Sequence, residues 1–291
     1  MWLWWIVVAH ELLVAEDTLI TMISPTLLLS LALASTASAT CTRGFLQDGT
    51  ANYLKAIGAG QSTLLALSSN AIYLENDIRL DITKGVLAKP IKVDFSRSIL
   101  DTTQCAIFTE LAATSDHPYV IHTHIWYAND KISAIDSVVS DEGDWIFNAT
   151  TFLNWSKQEN WDPIPAEKRN TRAVIQAAGD AYLDQWGNVS HPVPLGTPCT
   201  RLEGGLYTGS RNASANTCPM GAFPQPLKVG NRRYVIDEEV GSVSILNDFP
   251  FLEKTFPVEK GTPSSNLFRV EGGLIRYIHE VTVCATKNCG R

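Results

Sequence analysis

Residues 119–139 read YVIHTHIWYANDKISAIDSVV, and residues 266–283 read NLFRVEGGLIRYIHEVTV. Each is a pair of alternating apolar/polar runs around a turn, Ala128-Asn129-Asp130-Lys131 in the first and Glu271-Gly272-Gly273 in the second, so each reads as a β-hairpin. Sliding the sequence by 142 residues lays Ile125–Val139 over Leu267–Val281, hairpin on hairpin and without a gap. Upstream of each hairpin stands a helical stripe. Phe45 to Ile57 carries Phe45, Leu46, Tyr53, Leu54 and Ile57 on one face; Lys168 to about Trp186 carries Val174, Ile175, Ala178, Tyr182 and Leu183. Between helix and hairpin lie further strand-like runs. These are Ala71–Glu75 and Cys105–Ala112 in the first half, and Thr200–Gly205, Arg233–Ile236 and Gly241–Leu246 in the second. The earlier runs match at a shift of about 128, which puts Glu75 over Glu203 and implies an insertion, assigned to Cys199–Gly230. Helix first, then a meander of antiparallel strands, twice over, is an α+β plan. A helix packed into a curved sheet makes a cone. The prolines of Asn160-Trp161-Asp162-Pro163-Ile164-Pro165 suit neither a helix nor a central strand. The expected division is therefore an N-terminal extension and signal peptide over 1–39, a first cone-like domain over 40–159, a linker over 160–166 and a second cone-like domain over 167–291.

No residue from Thr18 to Ala39 is charged; the apolar run Leu27–Ala34 ends in Ala37-Ser38-Ala39, a small-x-small pattern that predicts signal cleavage after Ala39. A second apolar run, Trp2–Ala9, is broken by His10 and Glu11. Initiation at Met22 accounts for it, an uncleaved signal anchor being the competing reading. No later segment reaches the ~20 apolar residues of a spanning helix, so no stable membrane insertion is expected after cleavage. Sequons at Asn148, Asn154, Asn188 and Asn212 and six cysteines, Cys41, Cys105, Cys199, Cys218, Cys284 and Cys289, agree with export and up to three disulfides. Sequence cannot choose among the pairings; Cys199 with Cys218 is the preferred local pair. No Cys-x-x-Cys or His-x-x-x-His spacing supports zinc, and no metal is expected. Net charge is −7 with charged residues at 18%, which argues against nucleic-acid and anionic-membrane surfaces.

Several stretches are specific. They are Ser68–Asp77, Trp155–Ala178 with its Asn160–Pro165 core, Cys199-Thr200-Arg201-Leu202-Glu203-Gly204-Gly205-Leu206-Tyr207-Thr208-Gly209, Arg232–Glu239 and Phe268–Gly273. Together they resemble a fungal family of secreted proteins related to the SnoaL-like and ketosteroid-isomerase-like superfamily, over nearly all of Cys41 to Cys284. The resemblance implies two tandem cones of the nuclear-transport-factor-2-like type. It also implies a class of activity: ketosteroid-isomerase-like proteins of secondary metabolism act as dimerising cyclases that join maleic-anhydride polyketide monomers. The irregular segment Pro250–Pro263 departs from the pattern.

A cone with an apolar lining and a few ionisable groups suits a hydrophobic small molecule, and proton abstraction there needs a base and a donor for the enolate oxygen. Strand alternation puts Ile275, Tyr277, His279 and Val281 on one face, and Leu274, Arg276, Ile278 and Glu280 on the other. His279 is the expected base and Tyr277 the expected donor. The substrate-binding candidates are Arg269, Arg276, Glu203, His122, His124 and Asp136, with His122 and His124 sharing a face with Trp126 and Asp136 standing near the place of His279. Packed, hydrogen-bonded structural roles are the competing reading of each. At least one of the acids Asp237-Glu238-Glu239 is expected to face Arg232, Arg233 or Arg201 in an ion-pair network. No Gly-x-Ser-x-Gly elbow or phosphate loop is present, and no cofactor is called for. The leading expectation is a cofactor-independent cyclase, secreted or held in the lumen of the secretory pathway, acting on a hydrophobic polyketide-like molecule, with a homo-oligomer compatible. A small-molecule sequestering protein and a surface or host-interaction protein are the alternatives.

Overall fold

A computed structural model describes residues 41–221, 226–250 and 261–289. The signal segment, the cleavage after Ala39 and most of Pro250–Pro263 lie outside the described residues. The chain runs α1 (Arg43–Ala59), β1 (Leu67–Glu75), β2 (Ile78–Arg79), β3 (Phe95–Asp101), β4 (Ala106–Ala113), β5 (Tyr119–Ala128) and β6 (Lys131–Ser140). Then come α2 (Ala149–Ser156), α3 (Arg172–Asp184), β7 (Leu195–Glu203), β8 (Leu206–Tyr207), β9 (Gly230–Asp237), β10 (Ser242–Phe249), β11 (Thr262–Glu271) and β12 (Leu274–Thr282).

The strands form two six-stranded sheets, ordered β2-β1-β6-β5-β4-β3 and β8-β7-β12-β11-β10-β9. The second order is the first repeated, including the parallel pairing of the opening strand with the closing one. The fold is thus α+β with one plan used twice. Register confirms the alignment of Glu75 with Glu203, since each ends its strand opposite the start of the next. It also puts Asp136, paired with Leu74, where His279 pairs with Leu202. The additional residues of the second half are split between the β8–β9 and β10–β11 connections rather than confined to Cys199–Gly230.

Each long helix covers one face of its sheet. Thr42 caps α1 by accepting from Phe45 N–H at 3.1 Å, and Gly60 closes it in the left-handed region at φ 64°. Its stripe Leu46, Tyr53, Ala56 and Ile57 packs on Ile107, Leu111, Ile121, Ile125 and Ile135. Thr171 caps α3, whose Ile175, Ala178 and Tyr182 pack on Val243, Ile245, Phe268 and Ile278. These side chains form the apolar part of each helix–sheet space; truncating a buried Leu such as Leu46 costs about 2–5 kcal/mol. Three disulfides join Cys41–Cys105, Cys199–Cys218 and Cys284–Cys289. The first ties the entry of α1 to the β3–β4 turn, and the second closes the local loop expected from sequence.

The opposite faces of the two sheets pack on each other, around Ile99, Ala106, Phe108, Val235, Val240 and Leu267. Two reciprocal clamps mark the pseudo-two-fold relation. Arg43, opening α1, makes a bidentate pair with Asp237 of β9 at 3.0 Å, and Asp237 also accepts from Leu100 N–H. Arg172, opening α3, makes the same pair with Asp101 of β3, which also accepts from Ile236 N–H at 2.9 Å. A self-complementary interface of this kind is what a two-fold generates. The acids Asp237-Glu238-Glu239 therefore do not pair with Arg232, Arg233 or Arg201. Asp237 and Glu239 hold Arg43, Glu239 also meets Arg169, and Glu238 accepts from Arg172 N–H. Long-range packing between halves overrides sequence proximity here. The short helix α2 is a further element that the periodicity did not signal.

Candidate functional site

Tyr277 and His279 face the other sheet and not the space beneath α3. A register slip between Arg269 and Val270 interrupts the alternation of β12, so Ile275 turns into the helix-side core with Ile278, away from Tyr277. His279 is fully buried. Its Nδ1 meets Glu110 Oε2 at 2.7 Å and its Nε2 meets Glu159 Oε2 at 2.6 Å. Glu110 also holds Arg97 at 2.8 Å and His122 Nε2 at 3.2 Å, and Arg97 lies over the Trp161 ring at 4.4 Å. Burial disfavours the imidazolium, but the Glu110 and Glu159 carboxylates outweigh it and push His279 up to about 9. Burial likewise opposes ionisation of Glu110, yet His279 and then Arg97 hold it well below the usual carboxylate range. Burial pushes His122 down, so it stays neutral. Two cations, Arg97 and His279, thus balance two carboxylates, and the network sews Glu159 and the linker residue Trp161 to both sheets. Tyr277 stacks on Trp161 at 5.7 Å.

The remaining candidates are distributed over both faces. His122 and His124 do share a face with Trp126, as alternation predicts, and it is again the inter-sheet face. His122 meets Ser265 and His124 meets Ser244, each at 2.8 Å. Asp136 pairs with Arg233 at 2.8 Å. Arg269, 3% exposed, bonds Glu271 and the carbonyls of Val240 and Asp162, which fixes the linker. Arg276 reaches the Thr197 carbonyl at 3.1 Å, away from the others. Only Glu203 lies on the helix side, where it accepts from Trp145 Nε1 at 2.6 Å.

Glu203 belongs to a second polar cluster beneath α3 that sequence reasoning missed. Beside it stand Arg201, Tyr182 from α3, and Glu280, Asn266, Ser264, Thr282 and Asn247 from the adjoining strands. Burial and then the Glu203 carboxylate push Glu280 up to about 8, against the opposing pull of Arg201, so it is neutral at pH 7. Arg201 Nε, Asn247 Nδ2 and Asn266 Oδ1 are buried without hydrogen-bond partners among the described residues. Unpaired buried polar atoms cost free energy, and each calls for an explanation such as a catalytic role or a bound water or ion. The duplicated register gives an internal control. Leu111, Ile121 and Val139 of the first half stand where Asn247, Ser264 and Thr282 stand in the second. The first half keeps a closed chain, Tyr53–Thr123 at 2.8 Å and Thr123–Ser137 at 2.9 Å, with Glu75, the counterpart of Glu203, accepting from Tyr73 and from Val86 N–H at 2.6 Å. The available signal was three polar residues at helix-facing positions, readable only once the repeat is aligned strand by strand.

Residues 168–282 match a family model described as a domain of unknown function (DUF8021), which spans α3 to β12, the whole second sheet. No curated protein matches the chain.

Proposed function

We propose that the protein is a secreted, cofactor-independent enzyme of the SnoaL-like type that moves a proton on a hydrophobic, polyketide-derived molecule held beneath α3. The observation that carries this reading is the polar substitution of the second domain's interior, centred on Glu280 and including three buried atoms without partners. The three disulfides fit a protein matured in an oxidising compartment, which supports the secretory part.

In this reading Glu280, once ionised, takes the proton from a carbon beside a carbonyl, and the electron pair moves into the carbonyl as an enolate. Arg201 Nε–H and the Asn247 amide N–H are the donors available to the enolate oxygen, and Asn266 Oδ1 accepts from a ligand hydroxyl. The enolate carbon then attacks an electrophilic double bond, forming the C–C bond of a cyclisation or dimerisation as that π bond breaks and its electron pair moves onto the conjugated carbonyl, and Glu280 returns the abstracted proton to the resulting anion, which restores the carboxylate. His279 is assigned to holding the linker, because both its nitrogens are committed to carboxylates and it has no free lone pair.

The test is incubation of purified protein with a substituted maleic anhydride monomer. Glu280→Gln is expected to abolish product formation, and His279→Gln, assayed at a temperature where it is folded, to retain it. Turnover rising with pH through about 8 in the wild type is expected, since Glu280 must lose its proton. Full activity in Glu280→Gln refutes the assignment; saturable binding without product in the wild type replaces the enzyme by a small-molecule carrier.

A further inference from the structure

The helix α2 fills one end of the seam between the two sheets. Its Ala149 and Phe152 pack with Ala112 and Val120 of the first sheet and with Leu202 and Tyr207 of the second. The duplicated plan repeats that groove at the other end. Ala112 faces Val120 across β4–β5 as Asp248 faces Pro263 across β10–β11, and the β1–β2 turn takes the place of the β7–β8 turn. Among the described residues no helix stands in this second groove. It is a pocket of about 510 Å³ bordered by Asp77, Ile78, Asp248, Pro263, Val283 and Ala285. That volume is in the usual range of small-molecule sites.

The pocket differs from its filled counterpart in charge. Asp77 has the carboxyls of Asp248 and Asp136 as neighbours, and burial, then those carboxyls, outweigh Arg233 to push Asp77 up to about 7. The charged and polar neighbours are all engaged. Arg233 binds Asp77 at 2.9 Å and Asp136 at 2.8 Å, Asn231 donates to Asp248 at 3.1 Å, and Lys287 is held by Asp141 and Asp144. Arg233 and Lys287, the latter itself lining the pocket, face the carboxyls of Asp77, Asp136, Asp248, Asp141 and Asp144, so among the described residues carboxyls outnumber cations here. Apolar walls with a carboxyl pair at one side are complementary to an ammonium group on a compact apolar body.

We propose that this inter-sheet pocket binds a small organic cation, a protonated amine carried on an aromatic or aliphatic group that occupies the place Phe152 takes in the other groove. The ammonium displaces the proton held by Asp77, so binding releases a proton and strengthens as pH rises through about 7. The site is separate from the Glu280 cluster and does not rest on the reading given for it.

The experiment is calorimetric titration of the secreted protein with phenethylammonium and, as the isosteric anion, phenylacetate, at about pH 8 and about pH 5.5. Phenethylammonium is expected to bind at the higher pH and at least about tenfold more weakly at the lower, with a heat that depends on buffer ionisation. Asp248→Asn is expected to weaken it about tenfold or more; Ala285→Trp, which fills the groove without touching a carboxyl, to abolish it; and Glu280→Gln to leave it unchanged. Phenylacetate binding as tightly, retained affinity in both Asp248→Asn and Ala285→Trp, or no heat up to ~10 mM phenethylammonium at the higher pH would overturn the proposal.

Discussion

Replacing His279 by Gln removes the positive charge between Glu110 and Glu159 while keeping most of the side-chain volume. The wild-type imidazole rises from the ordinary 6.5 to about 9, a difference of roughly 2.5 pH units and hence about 3 kcal/mol of coupling at 1.36 kcal/mol per unit. The folded value exceeds the unfolded one, so this contribution is fully present below about pH 6.5 and is lost as pH climbs through about 9. Glu110 has the opposite sign: its contribution is present above about pH 4.5 and lost on acidification. The network is thus strongest between about pH 4.5 and pH 6.5. In the variant, two buried carboxylates are left with Arg97 alone, and breaking one member of a buried charge network typically costs about 3–5 kcal/mol. Urea unfolding followed by tryptophan fluorescence should show His279→Gln less stable by about 3 kcal/mol at pH 6, with the gap falling below about 1 kcal/mol near pH 9.5. Trp161 makes this readout local, since its ring lies 5.5 Å from His279. A gap of equal size at both pH values would mean that His279 acts through packing and not through charge, and the reasoning would fail.

Other outcomes follow from the same contacts. Arg172→Ala leaves Asp101, fully buried, without its bidentate partner and should destabilise by about 3 kcal/mol, with the pseudo-equivalent Arg43→Ala costing less because Arg43 is also spent on the half-exposed Glu239; equal values near zero in denaturant titrations would refute the clamp. Removing Cys199–Cys218 by a double Ser substitution should lower stability by about 3 kcal/mol, as expected for a loop of its 19-residue separation, and a calorimetric melt unchanged in the variant would contradict this. Mass spectrometry of the protein expressed through a glycosylating secretory pathway should find glycan on Asn188 and Asn212, which lie exposed in turns, and none on Asn154, whose sequon partner Ser156 is buried in α2; the reverse pattern would show that the folded-state surroundings do not govern occupancy.

Local pattern was enough to read the α+β class, the two helices, the hairpins and the repeat, because periodicities of 2 and 3.6 and turn residues are properties of neighbouring positions. The same locality explains the Cys199–Cys218 pair and the shared face of His122, His124 and Trp126. Which face of a sheet is covered by a helix and which by the other sheet is not a local property. Alternation grouped His279 with Tyr277 correctly but could not say that both look across the seam toward Glu110, 169 residues away. Nor could it see the register slip that moves Ile275 to the other side. Pairing of Arg43 with Asp237, and of Arg172 with Asp101, depends on the docking of two halves and has no signature in spacing. The polar interior around Glu280 emerges only when the strands of the two sheets are superposed, because its meaning lies in the contrast with Leu111, Ile121 and Val139.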